Sequence, residues 1–398
     1  MKKRKKLTLL WREFNSLELG KDVMLVPYYL GKSLNYDVEI CMNYSDEQAD
    51  EIAKYIQRTG AIIVRKPIGY TPFRRISAYF KHLISNARKT DLLMCFHWRT
   101  ETYFCILFYK LLNPKGKIYI KLDTDSGEEF DTNRHKGIKR WLLHKLYRAC
   151  IRWVNCFSCE TSKVYNTICQ NKEFGTILKS KLILMPNGFD EELLQSLDIK
   201  ERSFEEKENL IITVGRIGTE QKNTEMLLNA LQNLDLKDWK VCLIGPIEPE
   251  FHQTINRFYQ ENPQKQNQVL FIGNINDKKQ LWEWYNRAKV FVLTSNWESY
   301  GIVLTEAKRF SNYIISTPVG AATDITENNQ YGQLIPINNC IVLSKILIDI
   351  IYYNKSIDVY NHYDSQQLNY TQLITLVTNT SINIKKSSNY YKSRYTII

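Results

Sequence analysis

The stretch that decides the fold is Glu298 to Glu306, which reads Glu-Ser-Tyr-Gly-Ile-Val-Leu-Thr-Glu. An apolar run typical of a buried strand, Val290–Leu293, precedes it, and a helical pattern continues after it to Phe310. The chain therefore goes from a strand through a short loop into a helix, the junction at which open parallel sheets bind ligands. Gly301 allows the backbone to approach a bound group, and the free amides of the first helical turn favour an anion.

The rest of the chain alternates short apolar runs with helical patterns, an order that predicts parallel, doubly wound sheets. Strands are expected in the first half at residues 7–11, 36–41, 61–64, 91–96, 117–122 and 182–185. They are expected in the second half at residues 210–216, 239–245, 269–273, 290–293, 313–316 and 331–336. A chain of 398 residues favours two domains. The polar segment Glu201–Asn209 is the expected linker, which predicts domains at 1–204 and 205–375 and a basic polar tail at 376–398.

Two cations stand near the first predicted strand of the second half. Gly215 and Arg216 follow this strand directly, and Lys222 comes just before the next helical pattern. An arginine with paired N–H donors and a lysine acting as a point charge suit a diphosphate. Taken alone, the two cations are more typical of solvated loops, and two glutamates eight residues apart are more typical of a solvated turn.

Together these motifs resemble the retaining glycosyltransferases of family 4 (group 1) over about residues 209–338. Glu298 and Glu306 match the E-x7-E signature of that family, and Gly215-Arg216 followed by Lys222 resembles its GR…K element. The resemblance implies an α/β GT-B fold, in which two Rossmann-like doubly wound domains face each other across a cleft. It also implies a donor site, for which we expect these residues: Gly215, Arg216, Lys222, Ile272, Gly273, Tyr300, Gly301, Ile302, Val303 and Glu306.

The resemblance further implies a role for each part of this site. Arg216 and Lys222 would hold the diphosphate, and Glu306 the ribose hydroxyls. Glu298 would bind the donor sugar near its reacting carbon. The turn at Ile272 and Gly273 would contact the base, and the amides of residues 300–303 would add to the phosphate site. The expected donor is a UDP- or GDP-sugar, and no cofactor or metal is expected because the two cations can neutralise the leaving diphosphate.

The first half resembles the family more loosely, over about residues 91–190. The turn Pro186–Asp190 is similar to the turn that closes the first domain in that family. His97 ends a predicted buried strand, so we expect it near the reacting sugar, with Asp123 as a second candidate on the acceptor side. A lone histidine at a strand end is also a common structural residue. The glycine-rich acceptor loop of the family is poorly matched by residues 15–21, which leaves recognition of the acceptor open.

Charge is distributed unevenly along the chain. Residues 1–205 contain 35 Lys and Arg against 24 Asp and Glu, a formal charge of +11, whereas the remaining residues carry +1. Basic amphipathic helices are predicted within Phe73–Lys89 and Gly137–Trp153, a pattern typical either of helices that lie on anionic membranes or of ordinary surface helices. We therefore expect a cytoplasmic protein, peripheral on the inner face of the plasma membrane, that uses a glycan or a lipid-linked acceptor in bacterial surface polysaccharide synthesis.

Other protein classes fit the sequence less well. The chain has no G-x-G-x-x-G turn for a dehydrogenase and no recognised nucleic-acid-binding motif, so no nucleic-acid partner is expected. The sequence contains no run of about 18 apolar residues that would predict a transmembrane helix. Its nine cysteines include one CxxC spacing, Cys156 to Cys159, which we interpret as reduced core residues. A catalytically inactive, nucleotide-sugar-binding or scaffolding protein of the same fold remains the alternative.

Overall fold

The computed structural model describes residues 3–66, 71–132, 136–353 and 355–379. The chain forms two compact units, of which the first contains the residues up to Gly188 and the segment from Tyr370 onward. The second unit is Phe189–Asn369. Each unit is an α/β structure with a parallel sheet, as predicted. Residues 380–398 of the predicted tail lie outside the described residues.

The sheet of the first unit has seven parallel strands in the order β3-β2-β1-β4-β5-β6-β7. Leu9 of β1 pairs with Ile40 on one side and with Met94 on the other, so the strand order reverses beside β1. The strands are β1 (Lys6–Glu13), β2 (Asp37–Asn43), β3 (Ile62–Arg65), β4 (Leu92–Phe96), β5 (Lys117–Leu122), β6 (Cys156–Cys159) and β7 (Leu182–Leu184).

Both faces of this sheet are buried, which is why its strands are almost continuously apolar. The helices between the strands are α1 (Asp22–Leu34), α2 (Ala49–Thr59), α3 (Pro72–Asn86), α4 (Thr100–Leu112), α5 (Gly137–Trp153), α6 (Ser162–Cys169) and α7 (Gly175–Lys179). Helices α3 to α7 share one apolar core with one face of the sheet, and α1 and α2 share another with the opposite face.

The sheet of the second unit has six parallel strands in the order β10-β9-β8-β11-β12-β13. Ile212 of β8 pairs with Cys242 and with Phe291, so the order reverses between β8 and β11. The strands are β8 (Glu208–Val214), β9 (Lys240–Ile244), β10 (Val269–Gly273), β11 (Ala288–Leu293), β12 (Tyr313–Ser316) and β13 (Gly332–Leu334). The helices are α8 (Glu191–Ser196), α9 (Thr224–Leu231), α10 (Phe251–Glu261), α11 (Lys278–Arg287), α12 (Ile302–Arg309), α13 (Ala322–Ile325) and α14 (Cys340–Tyr352).

The unit boundary differs from the predicted linker. It falls at Gly188, inside the turn that was expected to close the first domain, whereas residues 201–209 lie within the second unit. The polar composition of that segment has a structural origin, because Glu201 pairs with the buried Arg309 through two oxygens at 2.7 and 2.9 Å. The polarity of Glu201 therefore reflects an ion pair inside the second unit.

The chain returns to the first unit through a helix that was not predicted, α15 (Tyr370–Val377). Tyr370 stacks on Tyr29 of α1 with ring centroids 5.4 Å apart, and Leu373 and Ile374 are buried in the same core. The predicted second domain, which extends to residue 375, is therefore too long at its end. Asp22 is the first residue of α1, and the N-cap residue Lys21 makes no side-chain capping bond.

Two further expectations concern the state of the cysteines and the absence of a transmembrane helix. All nine cysteines have free thiols, and Cys156 and Cys159 are buried in β6. In the described part of the chain, no helix combines the length and the apolarity needed to cross a bilayer.

Candidate functional site

The carboxyl ends of β8 and β11 lie side by side where the strand order of the second unit reverses. In doubly wound sheets this position binds ligands, because the connections leave the sheet toward opposite faces and open a crevice. Gly215 and Arg216 follow β8 directly, and the loop after β11 carries Glu298. The fold thus brings together two motifs that are more than 70 residues apart in sequence.

The predicted phosphate-binding lysine is paired with the predicted sugar-binding glutamate. Lys222 Nζ lies 2.5 Å from Glu298 Oε1, and their side chains are 17% and 8% exposed. The Ser295 hydroxyl donates to the same carboxylate oxygen at 2.7 Å. The Lys222 ammonium has three N–H donors, so this pair leaves it able to bind an anion as well.

Gln221 connects the predicted arginine to this pair. Its Nε2 donates to Glu298 Oε2 at 3.3 Å and to the Trp297 carbonyl at 3.2 Å. Its Oε1 accepts a 2.6 Å hydrogen bond from Arg216 Nη2. This bond uses one of the five N–H donors of an exposed guanidinium, so Arg216 retains donors for phosphate oxygens.

Three glycines, Gly215, Gly245 and Gly273, lie next to one another at the carboxyl ends of β8, β9 and β10. The Gly215 amide donates to the Ile244 carbonyl at 2.9 Å, and the Gly245 amide donates to the Gly273 carbonyl at 2.8 Å. A Cβ on Gly245 would lie 1.8 Å from the Gly215 carbonyl oxygen, so only glycine fits there. Ile272 and Gly273, the predicted base contacts, lie at the carboxyl end of β10, the edge strand of this sheet, and Gly273 has φ +83°.

The amino end of α12 adds a second set of donors. Gly301 adopts φ +83° just before the helix, and Ile302 and Val303 form its first turn. Their amides have no acceptor within the helix, and the helix dipole favours an anion at this end. Tyr300 is buried, and its carbonyl accepts from the Ala321 amide at 2.8 Å, which packs the loop after β12 against it.

Glu306 belongs to a separate set of contacts. Its Oε1 lies 2.7 Å from Lys278 Nζ and accepts from Trp282 Nε1 at 3.0 Å, and its Oε2 accepts from the Tyr285 hydroxyl at 3.1 Å. Among the hydrogen bonds of the described residues, Glu298 and Glu306 share no partner. Each glutamate of the signature therefore has its own lysine. Oε2 of Glu306 keeps one lone pair for a further donor.

His97 and Asp123 lie together in the first unit, at the carboxyl ends of β4 and β5. His97 adopts φ +60°, and its Nδ1 lies 3.0 Å from the Asp123 carbonyl oxygen. Because a carbonyl only accepts, Nδ1 carries the proton and Nε2 is left as an acceptor. Burial, together with the charge of Arg99, lowers the pKa of His97, which favours the neutral imidazole. The contact involves the main chain of Asp123, not its carboxylate.

A buried charge cluster beside these residues was not predicted. Lys121, fully buried at the end of β5, lies 3.0 Å from Asp22 and also contacts Glu160. Burial raises the pKa of Glu160 to about 8, an effect that the Lys121 charge opposes. In the sequence, only two charged residues at apolar runs indicated this cluster: Lys121 within residues 117–122 and Glu160 directly after residues 156–159. In the described part of the chain, no group of three or more His, Cys, Asp or Glu side chains could hold a metal ion.

Known proteins are similar to parts of this chain. Residues 195–362 match the family model of the glycosyl transferases group 1. A probable sucrose-phosphate synthase of Thermosipho melanesiensis is 28% identical over 163 residues, which are 40% of this chain and 37% of that protein. The amylovoran biosynthesis glycosyltransferase AmsD of Erwinia amylovora is 24% identical over 197 residues, covering 44% and 54%. The chain thus spans about half or less of the length of these two relatives.

A solved structure resembles nearly the whole chain. The Anabaena protein HepE in complex with UDP has a TM-score of 0.65, with 94% of this chain and 98% of that chain covered at 14% identity. At this identity the likeness concerns the fold alone. The protein therefore has a GT-B fold, as the sequence predicted.

Proposed function

We propose that this protein is a glycosyltransferase that moves a sugar from a nucleotide-sugar donor to a glycan or a lipid-linked acceptor. The observation that carries the proposal is the Lys222–Glu298 pair at the strand-order reversal of the second unit. A diphosphate needs cations and free amides, and a sugar needs a carboxylate for its hydroxyls. Both requirements are met within one βα junction and the loop beside it.

The chemical role of this site is to stabilise separated charge. When the bond between the sugar and the diphosphate breaks, negative charge grows on the phosphates and positive charge on the sugar carbon. Arg216 and Lys222 neutralise the leaving group, the amides of Ile302 and Val303 add dipoles, and Glu298 faces the sugar. Charges held in place before the reaction are worth more than mobile ones, because nothing has to reorganise as the bond breaks.

We propose that the donor is a UDP- or GDP-sugar and that transfer retains the anomeric configuration, without an essential metal. His97 is proposed to serve the reacting sugar as a neutral acceptor of hydrogen bonds, and Asp123 to serve the acceptor. NMR of the product tests retention, which an inverted glycoside would contradict. Loss of activity in EDTA, restored by Mg²⁺ or Mn²⁺, would contradict metal independence.

The acceptor we favour is a lipid-linked glycan of bacterial surface polysaccharide synthesis, met by a cytoplasmic protein at the inner face of the plasma membrane. Two facts support it: the first half of the chain carries a charge of +11, and the similar AmsD is named for amylovoran biosynthesis. Positive charge attracts a protein to an anionic surface, where lipid-linked acceptors are displayed.

Hydrolysis of nucleotide sugars by the purified protein is the direct test. A panel of UDP- and GDP-sugars should contain at least one that is cleaved, and Glu298→Gln should abolish that cleavage. Glu225→Gln is the matched control, because it makes the same change on an exposed glutamate of α9 in the same unit. Binding of UDP without hydrolysis or transfer of any sugar would instead support the inactive, nucleotide-sugar-binding alternative.

A further inference from the structure

Helices α3, α4 and α5 lie next to one another on one face of the first sheet. Phe80 of α3 packs on Phe108 of α4 with ring centroids 4.2 Å apart. Tyr103 of α4 and Tyr147 of α5 share a 2.8 Å hydrogen bond between their hydroxyls. The inner sides of all three helices belong to one apolar core, so their outer sides form one continuous surface, here termed the α3–α5 surface.

Large apolar side chains project from this surface. Among the described residues, eight of the fourteen exposed large apolar side chains lie on these three helices. Phe73 is 84% exposed, Leu111 76% and Ile138 78%. The other five are Ile84, Phe104, Trp141, Leu142 and Trp153. Other residues of these helices fill the apolar core against the sheet, so the exposed side chains are not needed for that packing.

The spacing of these residues places them on the outer helix faces. Ile138, Trp141 and Leu142 follow an i, i+3, i+4 pattern and therefore share one side of α5, opposite its buried residues. Phe73 and Ile84 lie eleven residues apart, three helical turns, and so share one side of α3. A helix solvated on its outer face shows the reverse pattern, with polar residues there.

Cations surround these apolar side chains. The three helices contain nine Lys and Arg residues and a single acidic residue, Glu101. That glutamate is neutralised by Arg75, whose Nε lies 3.1 Å from it. Lys145 lies 5.7 Å from the ring centroid of Trp141, so a cation and an aromatic ring are presented together. The surface is therefore both strongly basic and apolar.

We propose that the α3–α5 surface inserts its apolar side chains into the headgroup and upper acyl region of an anionic lipid bilayer. A second copy of the chain is a poor partner, because two surfaces of the same strong charge would meet. Nucleic acid would use the cations but not the protruding Ile and Leu side chains. A bilayer with anionic headgroups satisfies both features. The inference rests on the proposed function only for the reason to dock, a lipid-linked acceptor.

Vesicle flotation of the full chain tests this inference, with vesicles of phosphatidylglycerol and phosphatidylcholine compared with pure phosphatidylcholine. The apolar variant is Ile138→Ser with Trp141→Ser and Leu142→Ser. The charge variant is Lys145→Gln with Arg148→Gln and Arg152→Gln. The control variant is Ile341→Ser with Tyr353→Ser, which removes side chains that are 67% and 75% exposed in the second unit.

We expect the apolar variant to lose at least roughly tenfold in partitioning, at both low and high salt. The charge variant should lose about fivefold for each cation at low salt, and its salt dependence should weaken. The control variant should bind as the unchanged chain does. Brominated lipids should quench the fluorescence of Trp141 and Trp153 in the unchanged chain.

Several outcomes would overturn the inference. One is an absence of binding to anionic vesicles, and another is equal binding by the apolar variant and the unchanged chain. A concentration-dependent dimer that the apolar variant abolishes would assign the surface to a second copy. Hydrolysis of a nucleotide sugar in solution should be the same in all variants, so a failure of docking is distinguishable from a failure of the proposed function.

Discussion

Replacing the two partners of the Lys222–Glu298 pair should change UDP affinity in opposite directions. In the structure Lys222 Nζ lies 2.5 Å from Glu298 Oε1, and both side chains are largely buried. A bound diphosphate would therefore share this ammonium with the carboxylate, whose negative charge offsets part of its positive charge. Lys222→Ala removes the cation, whereas Glu298→Gln removes only the offsetting negative charge.

The two effects differ in size. A charge-assisted hydrogen bond contributes about 1.5–3 kcal/mol, so Lys222→Ala should raise the Kd of UDP roughly 10- to 150-fold. Glu298→Gln removes a negative charge that offsets only part of the Lys222 charge, so it should leave UDP affinity unchanged or increase it, by less than the loss that Lys222→Ala causes. Because we propose that the carboxylate binds the sugar and not the phosphates, the same substitution should also abolish hydrolysis of the nucleotide sugar.

Isothermal titration of UDP into the unchanged chain, the two variants and the double variant measures these terms. Lys240→Ala is the matched control, since it removes an exposed lysine at the opposite end of the same sheet. The double variant gives the coupling between the two side chains. If Glu298→Gln weakened UDP binding as much as Lys222→Ala does, the carboxylate would be needed to build the phosphate site and the reasoning above would be refuted.

Four further predictions follow from single residues. Gly245→Ala should lower the free energy of unfolding by several kcal/mol and weaken UDP binding, because its Cβ would meet the Gly215 carbonyl oxygen at 1.8 Å. Gly273→Ala, which has φ +83° and open space around it, should cost only about 1–2 kcal/mol in urea unfolding. Glu160 has a folded pKa raised to about 8, so its contribution to stability is complete below pH 4.5 and is lost as the pH rises toward 8. Glu160→Gln should remove this fall, at most about 1.4 kcal/mol per pH unit, from unfolding curves measured between pH 5 and 8; an unchanged slope would contradict the shifted pKa. Glu306→Gln should reduce the preference for UDP over its 2′,3′-dideoxy analogue about tenfold, and an unchanged preference would show that Glu306 only supports α11.

The donor residues could be predicted because their signals are local. Gly215, Arg216 and Lys222 lie within one βα junction, and Glu298 follows the strand that the topology places beside it. Sequence reasoning missed Gln221, which lies between two predicted residues but has no pattern of its own. It also missed Lys278, although Lys278, Trp282 and Tyr285 recur at the spacing of one helix side. That spacing shows that the three residues share one side of a helix, but it does not show that this side contacts Glu306.

The return of the chain to the first unit could not be predicted, because its determinants are distant in sequence. The residues of α15 follow a helical pattern, at Tyr370, Leu373, Ile374 and Val377. Nothing in that pattern says that the helix packs on α1, more than 330 residues earlier. The segment predicted as the linker lies inside the second unit for a related reason. An acidic residue at position 201 is explained by its ion pair with Arg309, and the sequence does not show that Arg309 is buried.

The two units use charge in different ways, and this difference explains why their sites were not equally predictable. Around the candidate donor site two lysines are paired with acids, Lys222 with Glu298 and Lys278 with Glu306, and the second half of the chain is nearly neutral although we propose that it binds an anion. Paired charges are held in fixed positions and require defined residue types at defined spacings, which leaves a motif in the sequence. On the α3–α5 surface the cations outnumber the acids nine to one, and attraction to a charged surface depends on their sum rather than on their exact positions. Such a surface gives the sequence a basic composition but no motif. The exposure of its apolar side chains could be recognised only from the fold, which shows which sides of the helices face solvent.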